Sequence, residues 1–216
     1  MITRRQGLML LGGGALAGLA ACSGATPGGS ASVTSGGSPS STGSAATGAT
    51  QLMEAIKGAG VIVYFRHGAT TWSGYDKLEW PREQQRLLSE EGIKQSETIG
   101  KAFTKHGLNA QRVISSPFER CKDMSTLAFG RYDSVEPKLL GEERPDSTLD
   151  YTYLTTLLGT PVPAGENLIV VAHSDAFRAV ANTSLPEGGG AVVRPNGSGG
   201  FDVLGMLTPS DWTSLA

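Results

Sequence analysis

Four residues with chemical potential fall at the ends of three apolar runs. Val61-Ile62-Val63-Tyr64-Phe65 ends in Arg66-His67-Gly68; Arg112-Val113-Ile114 ends in Ser115-Ser116-Pro117, with Arg120 a few residues on; Leu168-Ile169-Val170-Val171-Ala172 ends in His173-Ser174. Two of the chain's three histidines and two of its arginines are placed in this way. In open α/β sheets ligands bind beyond the carboxyl ends of parallel strands, so the four would share one pocket. A guanidinium is a planar, always-charged fork that matches the oxygens of a phosphate. An imidazole can act as nucleophile, base or acid near neutral pH.

The elements that must position these residues are legible in the pattern. The β-branched runs predict buried parallel strands. Ser89-Glu90-Glu91 opens a helix, with Lys101, Lys105 and His106 near its end and Gly107 closing it. His106 reads as a solvated helix-end residue. Glu119 to Phe129 predicts a helix stopped by Gly130, and the spacing of Leu149, Tyr153, Leu154, Leu157 and Leu158 predicts an amphipathic helix from Ser147 to Leu158. A short helix is expected over 175–181. Residues 191–194 and 201–207 predict a closing hairpin around Pro195-Asn196-Gly197. Alternating strands and helices indicate a three-layer α/β/α sandwich with a mostly parallel central sheet.

Ahead of this domain the composition changes. Arg4 and Arg5 precede an apolar stretch, Leu8 to Ala21, that at about 14 residues is short for a membrane span of roughly 20. Leu19-Ala20-Ala21-Cys22 resembles the lipobox of bacterial lipoproteins. Thr3-Arg4-Arg5-Gln6-Gly7-Leu8 resembles a twin-arginine export signal, with Gly7 at the usual bulky apolar position. Residues 1–21 are therefore expected to be a signal peptide, Cys22 to be lipidated, and the protein to lie outside the cytoplasm, held to the membrane by that lipid. Residues 23–50 contain only Ser, Gly, Ala, Thr, Pro and one Val. Such a segment buries too little apolar area to offset its ordering entropy, so 22–50 is expected to be a flexible tether.

The catalytic domain is then expected over 51–216. It carries all twenty acidic and sixteen of the eighteen basic residues, a net charge of −4. Without a Lys/Arg-rich run, nucleic acid has no electrostatic footprint as a partner. With Cys22 acylated, Cys121 would be left without an internal disulfide partner. Nor does Cys121 fit a C-x5-R phosphatase loop, because Leu127 stands where the arginine would.

Arg66-His67-Gly68-Ala69-Thr70-Thr71-Trp72-Ser73 resembles the RHGxTxWN motif of the histidine phosphatase superfamily, the phosphoglycerate mutase-like fold. Ser115-Ser116-Pro117-Phe118-Glu119-Arg120 is similar to its SSPxxR motif, and Val171-Ala172-His173-Ser174 to its second-histidine motif. The resemblance spans residues 59–207 in the family's order. It implies a phosphomonoester hydrolase in which His67 attacks phosphorus and forms a phosphohistidine that water cleaves. Arg66, Arg120, His173 and Thr70 would bind the phosphate, and no cofactor or metal is implied. The substrate would be a phosphorylated small molecule or a phosphorylated surface component.

Two departures from the family pattern stand out. Ser73 replaces the usual Asn, and the general acid is not clearly matched. Glu143 is favoured for that role, with Glu142, Asp175 and Glu187 as rivals. Trp72, Trp80, Gln85 and Arg86 could shape the pocket or be simple surface and core residues. The mutases' Glu-Arg-His-Tyr-Gly segment is absent. Ser174 resembles a nucleophile elbow, but no histidine follows His173 to serve it as base. The remaining alternative is a non-catalytic phosphate-binding or scaffold member of the same fold on the cell surface.

Overall fold

The computed structural model describes residues 42–216, with side chains from residue 48 onward. The expected signal peptide, Cys22 and most of the tether lie outside the described residues.

Four strands run parallel: β1 (Ile62–Arg66), β2 (Arg112–Ser115), the short β3 (Ser134–Val135) and, later in the chain, β6 (Leu168–Ala172). Strand β6 lies between β1 and β2, pairing Val63 with Ile169 on one side and Val113 with Ile169 on the other. The antiparallel hairpin β7 (Gly190–Pro195) and β8 (Phe201–Leu207) closes the sheet beside β1, giving the order β3-β2-β6-β1-β7-β8. The central strands are buried on both faces, which is why they read as unbroken apolar runs rather than alternating ones.

Alternate side chains of each strand feed two separate cores. Val63, Phe65, Val113, Ile169 and Val171 pack against Met53, Ile56, Ile99, Phe103, Met124 and Trp212. These come from helices α1 (Thr42–Lys57), α2 (Glu90–Lys105), α3 (Glu119–Phe129) and α6 (Pro209–Leu215). Ile62, Tyr64, Ile114, Val170 and Ala191 pack on the opposite face against Leu154, Leu158 and Phe177 of α4 (Thr152–Gly159) and α5 (Ser174–Ala181). The three-layer α/β/α architecture expected from the sequence is the one observed.

Helix ends follow their local chemistry. The Ser89 hydroxyl accepts the Gly92 amide at the start of α2, and Gly130, in the left-handed region at φ 74°, ends α3. His106 is not merely solvated: its Nε2 lies 2.9 Å from the Leu215 carbonyl oxygen and ties α2 to the C-terminal helix.

Two boundaries differ from expectation. Helix α1 starts at Thr42, inside the segment expected to be tether, and Ala49, Leu52, Met53 and Ile56 enter the core. An amphipathic anchor downstream lets the small, helix-compatible residues before it propagate the helix. The helix expected from Ser147 begins only at Thr152. Residues Leu149–Asp150 (β5) instead pair antiparallel with Glu142–Glu143 (β4). Ser147 turns the chain at φ 62°, and the Asp150 carboxylate accepts the Thr152 amide at 2.7 Å in an i to i+2 turn that leads into the helix at Thr152. The apolar period there continues through a hairpin, so periodicity alone extends the helix too far.

Candidate active site

The carboxyl ends of β1, β2 and β6 open into a cleft of about 520 Å³. Arg66, His67, Arg120 and His173, separated by up to 107 residues in sequence, all line it. The two imidazole centroids are 5.5 Å apart.

His67 follows β1 directly. Its backbone N–H donates to the Ala172 carbonyl and its own carbonyl accepts the Gly188 amide, so both ends of the residue are pinned. Gly68 is required by close approach rather than by a left-handed turn. A Cβ there would stand 2.7 Å from the Gly92 carbonyl oxygen, so glycine admits the start of α2 directly behind the histidine. The Nδ1 of His67 lies 2.8 Å from the Gly68 carbonyl oxygen. A carbonyl can only accept, so Nδ1 carries the proton and Nε2 keeps its lone pair. Burial, then the Arg120 guanidinium, brings the His67 pKa down to about 3, so the ring is neutral at ordinary pH.

His173 is set by Tyr64, whose hydroxyl donates to the His173 carbonyl at 2.8 Å and accepts its amide at 3.3 Å. Its Nε2 lies 2.8 Å from the Ser116 hydroxyl, which brings the ends of β6 and β2 together. Burial, followed by competition with the neighbouring His67 for a proton and by the Arg120 charge, holds its pKa well below the usual imidazole value. Phe118 packs edge-on against the His173 ring and beneath the Arg120 guanidinium, 4.2 Å from its carbon.

Every guanidinium at this end of the cleft faces a carboxylate. Arg120, only 5% exposed, donates through Nη1 to both oxygens of Asp76, at 2.8 and 3.2 Å. Its Nε is buried without a hydrogen-bond partner. Arg66 donates through Nη1 to the Leu185 carbonyl and through Nη2 to Glu187 at 3.2 Å. Arg86 reaches the same Glu187 at 3.7 Å and donates to the Thr70 hydroxyl at 2.8 Å. A phosphate entering here would meet three guanidiniums whose charge two carboxylates offset in part.

The remaining predicted residues sort by position. Thr70 does not line the cleft; its hydroxyl holds Arg86 and donates to the Trp72 carbonyl. Glu142 and Glu143 are exposed on β4 and do not line it either, which removes the geometric basis for favouring Glu143 as the acid. Asp175, at the start of α5, lines the cleft, and Glu187 is tied to its arginines. Gln85 is buried and structural, bonding the Leu78 and Trp80 carbonyls and the Glu119 amide. Trp72 is partly exposed beneath Arg86. Cys121 is fully buried, and that burial raises its thiol pKa to about 12, as suits a packed, unreactive thiol.

Sequence reasoning missed Asp76. It sits in no motif, in an irregular stretch between β1 and α2. Its acceptance of both the Arg120 guanidinium and the Arg86 amide appears only once the chain is folded. No signal in the one-dimensional pattern distinguishes it from any other loop aspartate.

Residues 62–139 match the family model of the histidine phosphatase superfamily (branch 1). The match includes His67 and Arg120 and stops short of His173. No curated protein matches the chain. Among solved structures, a candidate phosphohistidine phosphatase SixA from Nakamurella multipartitia superposes with a TM-score of 0.51 at 16% identity, over 69% of this chain and 95% of its own. A phosphoserine phosphatase variant from Entamoeba histolytica, in complex with phosphoserine, gives 0.50 at 10% identity, over 70% and 98%. Likeness at such identities establishes a shared fold.

Proposed function

We propose that this chain, whose residues 62–139 match the histidine phosphatase superfamily model, is a member of that superfamily and hydrolyses phosphate monoesters through a phosphohistidine on His67. The observation that carries this reading is the state of His67: Nδ1 is committed to the Gly68 carbonyl and Nε2 is free and unprotonated, in a cleft shared with three guanidiniums.

The Nε2 lone pair forms the bond to phosphorus while the bond from phosphorus to the ester oxygen breaks. Arg66, Arg86 and Arg120 hold the phosphoryl oxygens, supplying the charge stabilisation that loose phosphoryl transfer needs without a metal. The buried, unpartnered Nε of Arg120 is a donor that a phosphate oxygen would satisfy. Asp175 is the carboxylate we assign to protonating the leaving oxygen. It lines the cleft and meets one arginine, the exposed Arg178 at 3.1 Å, whereas Glu187 does not line the cleft and is engaged by both Arg66 and Arg86. A water then gives a proton to the Asp175 carboxylate and attacks phosphorus, the N–P bond breaks, inorganic phosphate leaves, and the free imidazole and protonated Asp175 are regenerated.

Trapping tests this directly. Labelled phosphoryl donor should leave an alkali-stable, acid-labile label on the wild type and none on His67→Ala, with turnover falling by about 10⁴-fold or more, as for loss of other nucleophiles. Label persisting on the variant refutes His67. We also propose export and a lipid on Cys22, from the sequence alone. Cys22→Ser should move the protein from the membrane to the soluble fraction, and retention on the membrane counts against the anchor.

A further inference from the structure

The cleft is far larger than a phosphate and its two ends differ in kind. Its volume of about 520 Å³ falls within the roughly 300–1,000 Å³ of sites for whole small molecules. Arg66, Arg86 and Arg120 are the arginines that line it among the described residues, all near His67, and no lysine lines it. The wall contributed by residues 139–151 is apolar and aromatic: Leu139, Leu140, Leu149 and Tyr151. Gly141 fixes that wall. It sits at φ 84°, and a Cβ there would be 2.9 Å from the Tyr151 ring and 3.0 Å from the Leu149 Cβ. The tyrosine ring and the leucine are therefore stacked over one backbone position. Leu149 is nonetheless 48% exposed, an apolar side chain left open at the rim of a cleft.

The charge of the lining selects among esters. A leaving group with a second phosphate or a carboxylate would find no cation in the apolar wall. A planar, uncharged, apolar group could shelter Leu149 and the Tyr151 face from water. We propose that the site takes aryl phosphates, the phosphate monoesters of phenols, with the ring held against the wall of Leu149 and Tyr151. This rests on the phosphatase reading above. Phenolate is also a good leaving group, so an aryl ester asks little of the acid assigned to Asp175.

Binding without turnover tests the substrate class separately from catalysis. Calorimetry with the full chain would compare phenylphosphonate with methylphosphonate. Phenylphosphonate should bind about tenfold tighter or more, the order expected when a ring's apolar area leaves water. Leu149→Ala, a change at a half-exposed side chain, should cut that advantage by roughly three- to fivefold. A peptide carrying the phosphonate analogue of phosphotyrosine separates two sources of the same chemistry. Tighter binding than phenylphosphonate assigns a protein tyrosine as the source, and equal binding a free aryl ester. Equal affinities for the two small phosphonates, or an advantage untouched by Leu149→Ala, overturn the proposal. An aryl advantage without any turnover above His67→Ala overturns the phosphatase reading and leaves the aryl site standing.

Discussion

The phosphate end of the cleft and its outer wall are built in different ways. At the phosphate end, His67 and His173 stand at the ends of buried parallel strands, and their backbones are held by Ala172, Gly188 and Tyr64. At the outer wall, Leu149 and Tyr151 come from a two-residue strand and the residue before a short helix, over a hairpin whose glutamates face solvent. Positions set by a rigid sheet hold a reaction common to many substrates. Positions set by a short excursion can change without disturbing the sheet, and that is where a substrate preference can be altered at low cost in stability.

The strongest way to break this contrast is at the phosphate end. Arg120→Ala should lower kcat/KM by about 10²–10³-fold for every ester alike, as removal of one electrostatic donor does elsewhere. Asp76→Asn keeps the volume and removes the charge that orients Arg120. It should cost less, and it should act on kcat more than on KM. A loss confined to aryl substrates in either variant would mean that the two ends are not separable, and unchanged kcat/KM in Arg120→Ala would remove that guanidinium from the phosphate.

A smaller effect sharpens the comparison through pH. The His67 pKa is about 3 in the fold, whereas an unfolded histidine titrates near 6.5. Between these values the unfolded chain binds a proton that the folded chain does not, so stability is lost as pH falls through that window. The slope is at most about 1.4 kcal/mol per pH unit for one such group. Denaturant unfolding at neutral pH and at acid pH should show a shallower acid loss in His67→Gln than in the wild type. Saturating phosphate should also lessen the loss, because the bound anion favours the imidazolium. Identical slopes in wild type and variant would mean that His67 is not desolvated as the geometry describes. No corresponding effect is expected from Leu149→Ala at the outer wall.

Much of the phosphate end could be read from residue order. The runs before His67 and His173 are apolar because those strands are covered on both sides, and the same covering determines where they end. Glu119 to Phe129 was bounded correctly because Gly130 stops that helix through local backbone chemistry. Glu143 illustrates what a linear reading misses. It lies in a plausible segment, yet it is exposed on a short hairpin and does not line the cleft. Helix α1 reaches back to Thr42 for a related reason, since the composition of residues 23–50 does not contain the anchor that Leu52, Met53 and Ile56 provide beyond it.

The sequence by itself determined the layers of the fold and which histidines and arginines stand at strand ends, because burial and capping act over a few neighbouring residues. Only the tertiary structure decided which carboxylates meet those arginines, that His67 and His173 stand side by side, and what faces the phosphate across the cleft. Those are contacts between segments far apart in the chain. Charge and hydrogen bonding depend on distances in space, and no local pattern encodes them.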